Sequence, residues 1–191
     1  MACQHAAPDH RVYRQILAWL LLPALWLASA VALAESREAI DAKVTTALAT
    51  FFEKSPEGKE LMEKAAGALV FPEVYKAGFG IGAEYGEGAL LVDGRPVGYY
   101  STSGASFGLQ LGAQAKSQVI LFMTDEALAR FRRSKGWEAG VDGSIAVVKA
   151  GAGGGIDSAT AQQPVIGFVF SNKGLMYNLT LEGSKITPLE S

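Results

Sequence analysis

One short segment of the chain matches the pattern of a nucleophilic serine. Residues 104–108 read Gly-Ala-Ser-Phe-Gly, a G-x-S-x-G pattern with Ser106 at its centre. That pattern works when the serine lies on a strand-to-helix turn and a histidine accepts its proton. Here the apolar alternation runs through Ser106 and predicts a strand. Both histidines, His5 and His10, lie in the first ten residues. The sequence therefore favours an exposed serine in a bent, glycine-rich strand.

Two further features could support catalysis or nucleotide binding. Glu84 and Glu87 flank Tyr85 and are of a type that a paired-carboxylate hydrolase uses, but acidic residues beside a glycine-rich strand more commonly lie on a solvated face. The glycines of 78–82 and 151–155 resemble phosphate loops. Neither run stands at a strand-to-helix turn or is followed by Gly-Lys-Ser/Thr. We predict no catalytic residue and no enzyme, with a hydrolase using Ser106 or Glu84 as the hypothesis to exclude.

A cluster of cations is the strongest candidate for binding. Four cations fall within six residues: Arg130, Arg132, Arg133 and Lys135. One interpretation is a helix C-terminus stabilised by its dipole. The other is a patch for anions or lipid headgroups, with Trp137 at the membrane interface.

The first 34 residues look like an export signal. An uncharged run of 19 residues, 16–34, follows Arg11 and Arg14 and ends in Ala-Leu-Ala. This is the pattern of a signal peptide cleaved after Ala34, which leaves residues 35–191 as a single domain in the periplasm or cell envelope. The run also approaches the roughly 20 residues that span a bilayer, so an uncleaved inner-membrane anchor is the alternative. Pro23, inside the run, favours cleavage.

Removal of this leader changes which chemistry is available. Cys3 and both histidines lie within it, so residues 35–191 have no disulfide, no thiol, no imidazole and none of the usual zinc or copper ligands. We predict no metal and no cofactor. Loss of Arg11, Arg14 and Asp9 takes the net charge from −2 to −3, and an acidic chain is a poor binder of nucleic acid.

The chain after the leader begins with a helical pattern. In residues 35–54 one face carries an apolar stripe: Ile40, Val44, Leu48, Phe51 and Phe52. Such a stripe docks on a core, which we favour, or lies in a membrane interface. Ser55-Pro56 ends this helix, and Pro56 can begin a second.

From Ala68 the period changes to two, which predicts strands. Asp93-Gly94 predicts a hairpin turn, and Thr124 the N-cap of a helix over 127–133. Further segments are predicted as a strand at 137–150, a loop at 151–164 and a hairpin of 165–171 with 175–182. Hairpin spacing without long crossovers predicts an α+β fold: an antiparallel, strand-rich sheet that can curl into a barrel, with N-terminal helices and one short internal helix.

Two long blocks resemble a known family. Residues 68–92 contain Phe-Pro-Glu-Val-Tyr-Lys-Ala-Gly-Phe, and residues 99–114 contain Ser-Phe-Gly-Leu-Gln-Leu-Gly-Ala-Gln. Both resemble the SYLF domain, and the likeness continues through 119–124 and 174–183. The resemblance implies a non-enzymatic lipid-binding module. Eukaryotic members associate with phosphoinositide membranes, partly through an N-terminal amphipathic helix, and some fungal members bind actin.

Carried over by position, that helix is the stripe of residues 35–54. An exported chain meets neither cytosolic actin nor cytosolic phosphoinositides, so the resemblance implies another anionic phospholipid as ligand. We expect an envelope module that binds anionic headgroups through the cation cluster, Trp137 and the stripe. The alternative is a structural or protein-interaction module of the envelope without a lipid ligand. An unpaired strand edge would also permit a homo-oligomer.

Overall fold

Two long strands form the centre of the fold. The computed structural model describes residues 35–149, 156–171, 181 and 183–189, except for the side chains of 77–81 and 106–114. These residues belong to the unit Glu35–Ser191. The elements in chain order are α1 (Arg37–Lys54), α2 (Pro56–Lys64), β1 (Gly67–Val92), β2 (Arg95–Phe122), α3 (Asp125–Arg133), β3 (Trp137–Glu138), β4 (Ala146–Lys149), α4 (Ser158–Ala161), β5 (Val165–Phe170) and β6 (Lys185–Pro188). The predicted α+β class is confirmed.

β1 and β2 pair as one antiparallel hairpin along their whole length. The turn is Asp93-Gly94, as predicted, and both residues have positive φ, 51° and 72°, which a tight two-residue hairpin needs. The sequence pattern predicted several short strands here, whereas the structure has two continuous ones. Pro72 does not end β1 because it lies within a register shift between Phe71 and Val74, and a bulge tolerates a missing N–H.

The hairpin curls back on itself. A Cβ added to Gly86 would lie 2.5 Å from the carbonyl oxygen of Glu73, and one on Gly88 would meet the carbonyl of Val70. The part of β1 around Gly86 and Gly88 therefore packs closely against the backbone of Val70 and Glu73. This close approach accompanies the bending of the sheet into a half-barrel.

The shorter strands extend this sheet. β5 and β6 both pair antiparallel with β2, and β3 pairs with β6. β4 pairs parallel with β5, in a sheet whose other named strand pairs are antiparallel, as predicted. Residues 150–164, which separate β4 from β5, are long enough for the crossover that a parallel pair needs.

Two predicted segments differ from the observed elements. The strand predicted at 137–150 is split into β3 and β4, because the chain turns between them at Gly140, whose φ is 86°. Part of the loop predicted at 151–164 forms the short helix α4, whose N-cap Asp157 accepts a hydrogen bond from the N–H of Thr160. The predicted strand 175–182 falls, apart from Leu181, outside the described residues.

A core lies on each face of the sheet. The α1-side core contains Ile40, Val44, Phe51, Val70, Leu121, Phe168 and Phe170 among its members. The α3-side core contains Leu69, Phe71, Leu90, Ile120, Phe122, Phe131 and Trp137 among its members. The side chains of β1 and β2 alternate between the two cores, as the two-residue period requires. In the part of the chain that the structure describes, no helix is both long and apolar enough to cross a bilayer.

Candidate functional site

The cation cluster is placed by α3. The hydroxyl oxygen of Thr124 accepts a hydrogen bond from the N–H of Ala127 at 3.2 Å, which confirms the predicted N-cap. Acidic residues occupy the first turn of α3 and basic residues the last, so both ends suit the helix dipole. Leu128 and Phe131 are buried on the sheet. Burial of this apolar side leaves the basic residues facing solvent.

All four predicted cations are exposed. Arg130 donates a hydrogen bond to Glu126 at 2.9 Å, and both side chains of this pair are mostly in water. An ion pair so exposed contributes little and opens readily. Among the described residues, Arg132, Arg133 and Lys135 form no ion pair. Their charges are therefore available to an external anion.

The fold adds a fifth cation that the sequence analysis did not find. Lys185, in β6, is exposed, and its Cε lies 3.2 Å from the position of a Cβ on Gly136. β6 reaches this place because it pairs with β3, which follows α3. Linear spacing gives no signal for such a neighbour. We call the five residues Arg130, Arg132, Arg133, Lys135 and Lys185 the cation patch.

Trp137 lies beneath the patch rather than in it. Its side chain is 3% exposed, and its ring packs edge-on against Phe131 at 5.9 Å and Phe122 at 6.5 Å between centroids. β3 carries Trp137 into the α3-side core through its pairing with β6. In this conformation Trp137 fixes the base of the patch and is not exposed to contact a headgroup.

The apolar stripe of α1 is docked on the sheet. Ile40, Val44 and Phe51 are buried in the α1-side core, and Leu48 and Phe52 are partly buried against it. The ring of Phe51 contacts those of Phe168 at 4.9 Å and Phe170 at 5.8 Å. This is the core-docking arrangement that the sequence analysis favoured. A contact of the stripe with lipid would require α1 to leave the sheet.

Polar contacts hold the solvent side of α1. Lys43 Nζ lies 2.8 Å from Oε1 of Glu35 and 2.8 Å from Oε2 of Glu73. These two hydrogen bonds raise the pKa of Lys43. On the other flank, the hydroxyl of Tyr99 donates to Asp41 at 3.0 Å. A cavity of about 240 Å³ lies beside the Lys43–Glu73 pair, lined by Ala42, Thr46, Ala47 and Pro72 as well.

A buried ion cluster lies inside the curl of the hairpin. Oε2 of Glu84 accepts a hydrogen bond from Nζ of Lys116 at 2.6 Å, and Oε1 of Glu84 lies 3.5 Å from Nζ of Lys76. The three side chains are 2–11% exposed. Burial lowers the pKa of Lys116, against the opposing effect of Glu84. Gln118 follows on the same face, fully buried, with no hydrogen-bond partner for its side-chain amide in the described residues. The sequence gives no signal for this cluster, because Glu84 pairs with Gly104, far along β2 from Lys116, and only the curl of the hairpin returns it to the two lysines.

The catalytic candidates are not assembled into a site. The backbone of Ser106 lies within β2 opposite Gly82, so the strand passes straight through it without the turn that a nucleophile needs. Glu84 and Glu87 are three residues apart on a regular stretch of β1 and point to opposite faces. No metal-binding group of His, Cys, Asp and Glu occurs among the described residues.

Comparison with known proteins finds a likeness to one family. Residues 103–191 match the family model Ysc84, the SYLF domain model, described as "Las17-binding protein actin regulator". The chain is also similar to Beta cell expansion factor A of Aeromonas veronii, at 31% identity over 160 residues that cover 79% of this chain. The aligned region spans 56% of the length of that relative. The whole cation patch lies within residues 103–191, whereas α1 lies before them.

Proposed function

We propose that this chain belongs to the SYLF family, whose members bind lipid or protein, and that it binds anionic phospholipid headgroups through the cation patch. The observation that carries this proposal is the exposure of five cations around the end of α3. The protein as a whole has a negative net charge, so the patch is a local feature. We further propose that the protein is exported and acts in the cell envelope without enzymatic activity.

The geometry of the patch suits a membrane surface. Leu128, Phe131 and Trp137 anchor its base in the α3-side core, so the cations project from a fixed platform. Each Lys or Arg near an anionic bilayer contributes about 1 kcal/mol of attraction. Five such residues would hold the protein on an anionic membrane reversibly, and salt would weaken this attraction by screening the charges.

Charge-removing variants on vesicles test this proposal. We expect Arg130/Arg132/Arg133→Gln to lower the affinity for vesicles containing phosphatidylglycerol by about a hundredfold, from about 1 kcal/mol for each of three charges. Lys54/Lys59/Lys64→Gln is the matched control, because it removes three exposed cations elsewhere and changes the net charge equally. If both triple variants bind with equal affinity, net charge governs binding and the patch is not the site.

The stripe of α1 is a second proposed lipid contact, after undocking of the helix. Ile40, Val44, Leu48, Phe51 and Phe52 would then exchange the α1-side core for the bilayer interface. This exchange costs the packing of Phe51 against two aromatic rings. We therefore assign first contact with the membrane to the cation patch.

One observation favours a protein partner as the alternative function. Among the strands that the structure describes, β4 is at the end of the strand order. It carries the exposed Val147, with Val141 still more exposed before it. A terminal strand with apolar side chains can pair with another chain or with a second copy of this one. Cross-linking of the exported protein to a partner, with no lipid retained on purification, would favour this function.

A further inference from the structure

The start of the unit Glu35–Ser191 is tied to the sheet at its first residue. The backbone nitrogen of Glu35 donates to Oε2 of Glu87 at 3.1 Å. The other carboxylate oxygen of Glu87 accepts from the hydroxyl of Tyr85 at 2.7 Å. Glu35 immediately precedes Ser36, the N-cap of α1. The carboxylate on β1 therefore holds the residue from which α1 begins.

The identity of that nitrogen matters because residue 35 is the predicted first residue after cleavage. In an intact Ala34–Glu35 peptide bond, the nitrogen is a neutral amide. After hydrolysis of that bond, the carboxyl group leaves with Ala34, and Glu35 keeps an amine that takes up a proton near neutral pH. The same atom, 3.1 Å from a carboxylate, then carries a positive charge.

We propose that Glu87 is a binding site for the α-ammonium group that cleavage creates at Glu35, and that this ion pair fastens α1 to the sheet. The proposal rests on cleavage after Ala34 and is independent of lipid binding. Cleavage then converts a hydrogen bond between a neutral amide and a carboxylate into one between two charges, which is stronger. The docked position of the α1 stripe is thereby stabilised in the processed form.

The α-amine of Glu35 titrates in a pH range in which neighbouring side chains keep their charge. The titratable groups around Glu35 on α1 and β1 are Lys43, Glu73, Tyr75, Tyr85 and Glu87. The hydrogen bond to Glu73 raises the pKa of Tyr75 above its ordinary value, so Tyr75 stays neutral over most of the range from pH 7 to 10. Partial burial and the hydrogen bond to Glu87 raise the pKa of Tyr85 to about 12, and the pKa of Lys43 is also raised. Neither group therefore changes charge between pH 7 and 10. The α-amine, with an ordinary pKa of about 7.7–8.0, titrates within that range.

The sign of the pH dependence follows from the ion pair. A carboxylate partner raises the pKa of the α-amine in the folded state above its value in the unfolded chain. The stabilisation is then complete below the unfolded pKa of about 8 and is lost as the pH rises through the folded pKa. An acetylated α-amine restores the neutral amide, so it serves as a chemical equivalent of the uncleaved bond.

The test uses the full chain, exported and processed by a bacterial host. Intact mass identifies the first residue, and selective acetylation of the α-amine near pH 7 gives the matched form. We expect the free amine to unfold about 3 °C above the acetylated form at pH 7, and the two to converge by pH 10. In Glu87→Gln the difference should disappear.

A second measurement needs no variant. Carbon-13 dimethylation keeps the charge of the α-amine and reports its pKa by NMR, and we expect a value above 8. A first residue other than Glu35, an ordinary α-amine pKa, or equal stability of the free and acetylated forms would each overturn the proposal. None of these results depends on vesicle binding, so the proposed function fails or stands separately.

Discussion

At the scale of single residues, the distribution of charge between surface and interior decides what each ion does. Arg132 and Arg133 are in water and free to meet an anion, whereas Lys76 and Lys116 share one carboxylate inside the curl of the hairpin. Buried ions are expensive to desolvate and depend on their partners. The two lysines of the interior therefore contribute to the stability of the fold, whereas the exposed arginines of α3 are the residues to which we assign the proposed binding.

The interior cluster gives a prediction on stability. Glu84→Gln removes the carboxylate that both buried lysines contact, so we expect the free energy of unfolding to fall by about 3–5 kcal/mol. The control is Glu126→Gln, which removes the exposed partner of Arg130 and should cost less than about 1 kcal/mol. Urea denaturation measures both. Equal effects would mean that Glu84 does not hold the cluster in solution.

At the scale of elements, local signals predicted most boundaries of the helices and the hairpin. Ser55-Pro56 divides α1 from α2, Thr124 caps α3, and Asp93-Gly94 turns the hairpin, all as expected. These signals succeed because caps and turns depend on neighbours in sequence. The parallel pairing of β4, the burial of Trp137 and the position of Lys185 depend on contacts between distant segments, which no local pattern encodes.

The curl of the hairpin gives a second prediction. Gly88→Ala would place a Cβ against the carbonyl of Val70, and backbone cannot move aside as a side chain can. We expect a loss of about 2 kcal/mol or more in thermal or urea unfolding. Gly104→Ala is the matched control on β2, since its Cβ would meet nothing closer than 3.5 Å. A harmless Gly88→Ala would contradict this close approach within β1.

The docking of α1 gives a third prediction. Phe51 is fully buried, so Phe51→Ala should lower the free energy of unfolding by about 3–5 kcal/mol. Phe52→Ala, at a partly exposed neighbour, should cost clearly less. If the cation patch makes first contact with lipid, the folded Phe51→Ala protein keeps its affinity for anionic vesicles. A large loss of vesicle affinity without a loss of stability would instead assign lipid binding to the stripe.

At the scale of the whole molecule, a chain with a negative net charge carries a basic surface, the cation patch. Four of the five residues in the cation patch could be found from the sequence alone, because they fall within six consecutive positions, 130–135. The sequence could not supply the buried platform beneath them or Lys185, since both arise from the pairing of β3 and β6. The likeness to the SYLF family suggests a binding function, and the exposed cations are the reason that we propose an anionic ligand.

The most direct test of the central claim is flotation of the processed protein with vesicles of defined charge. We predict that the protein floats with vesicles containing phosphatidylglycerol at low salt, stays behind with vesicles of phosphatidylcholine alone, and is released as the salt concentration rises. Equal flotation with both kinds of vesicle, or no flotation with either at low salt, would contradict the account.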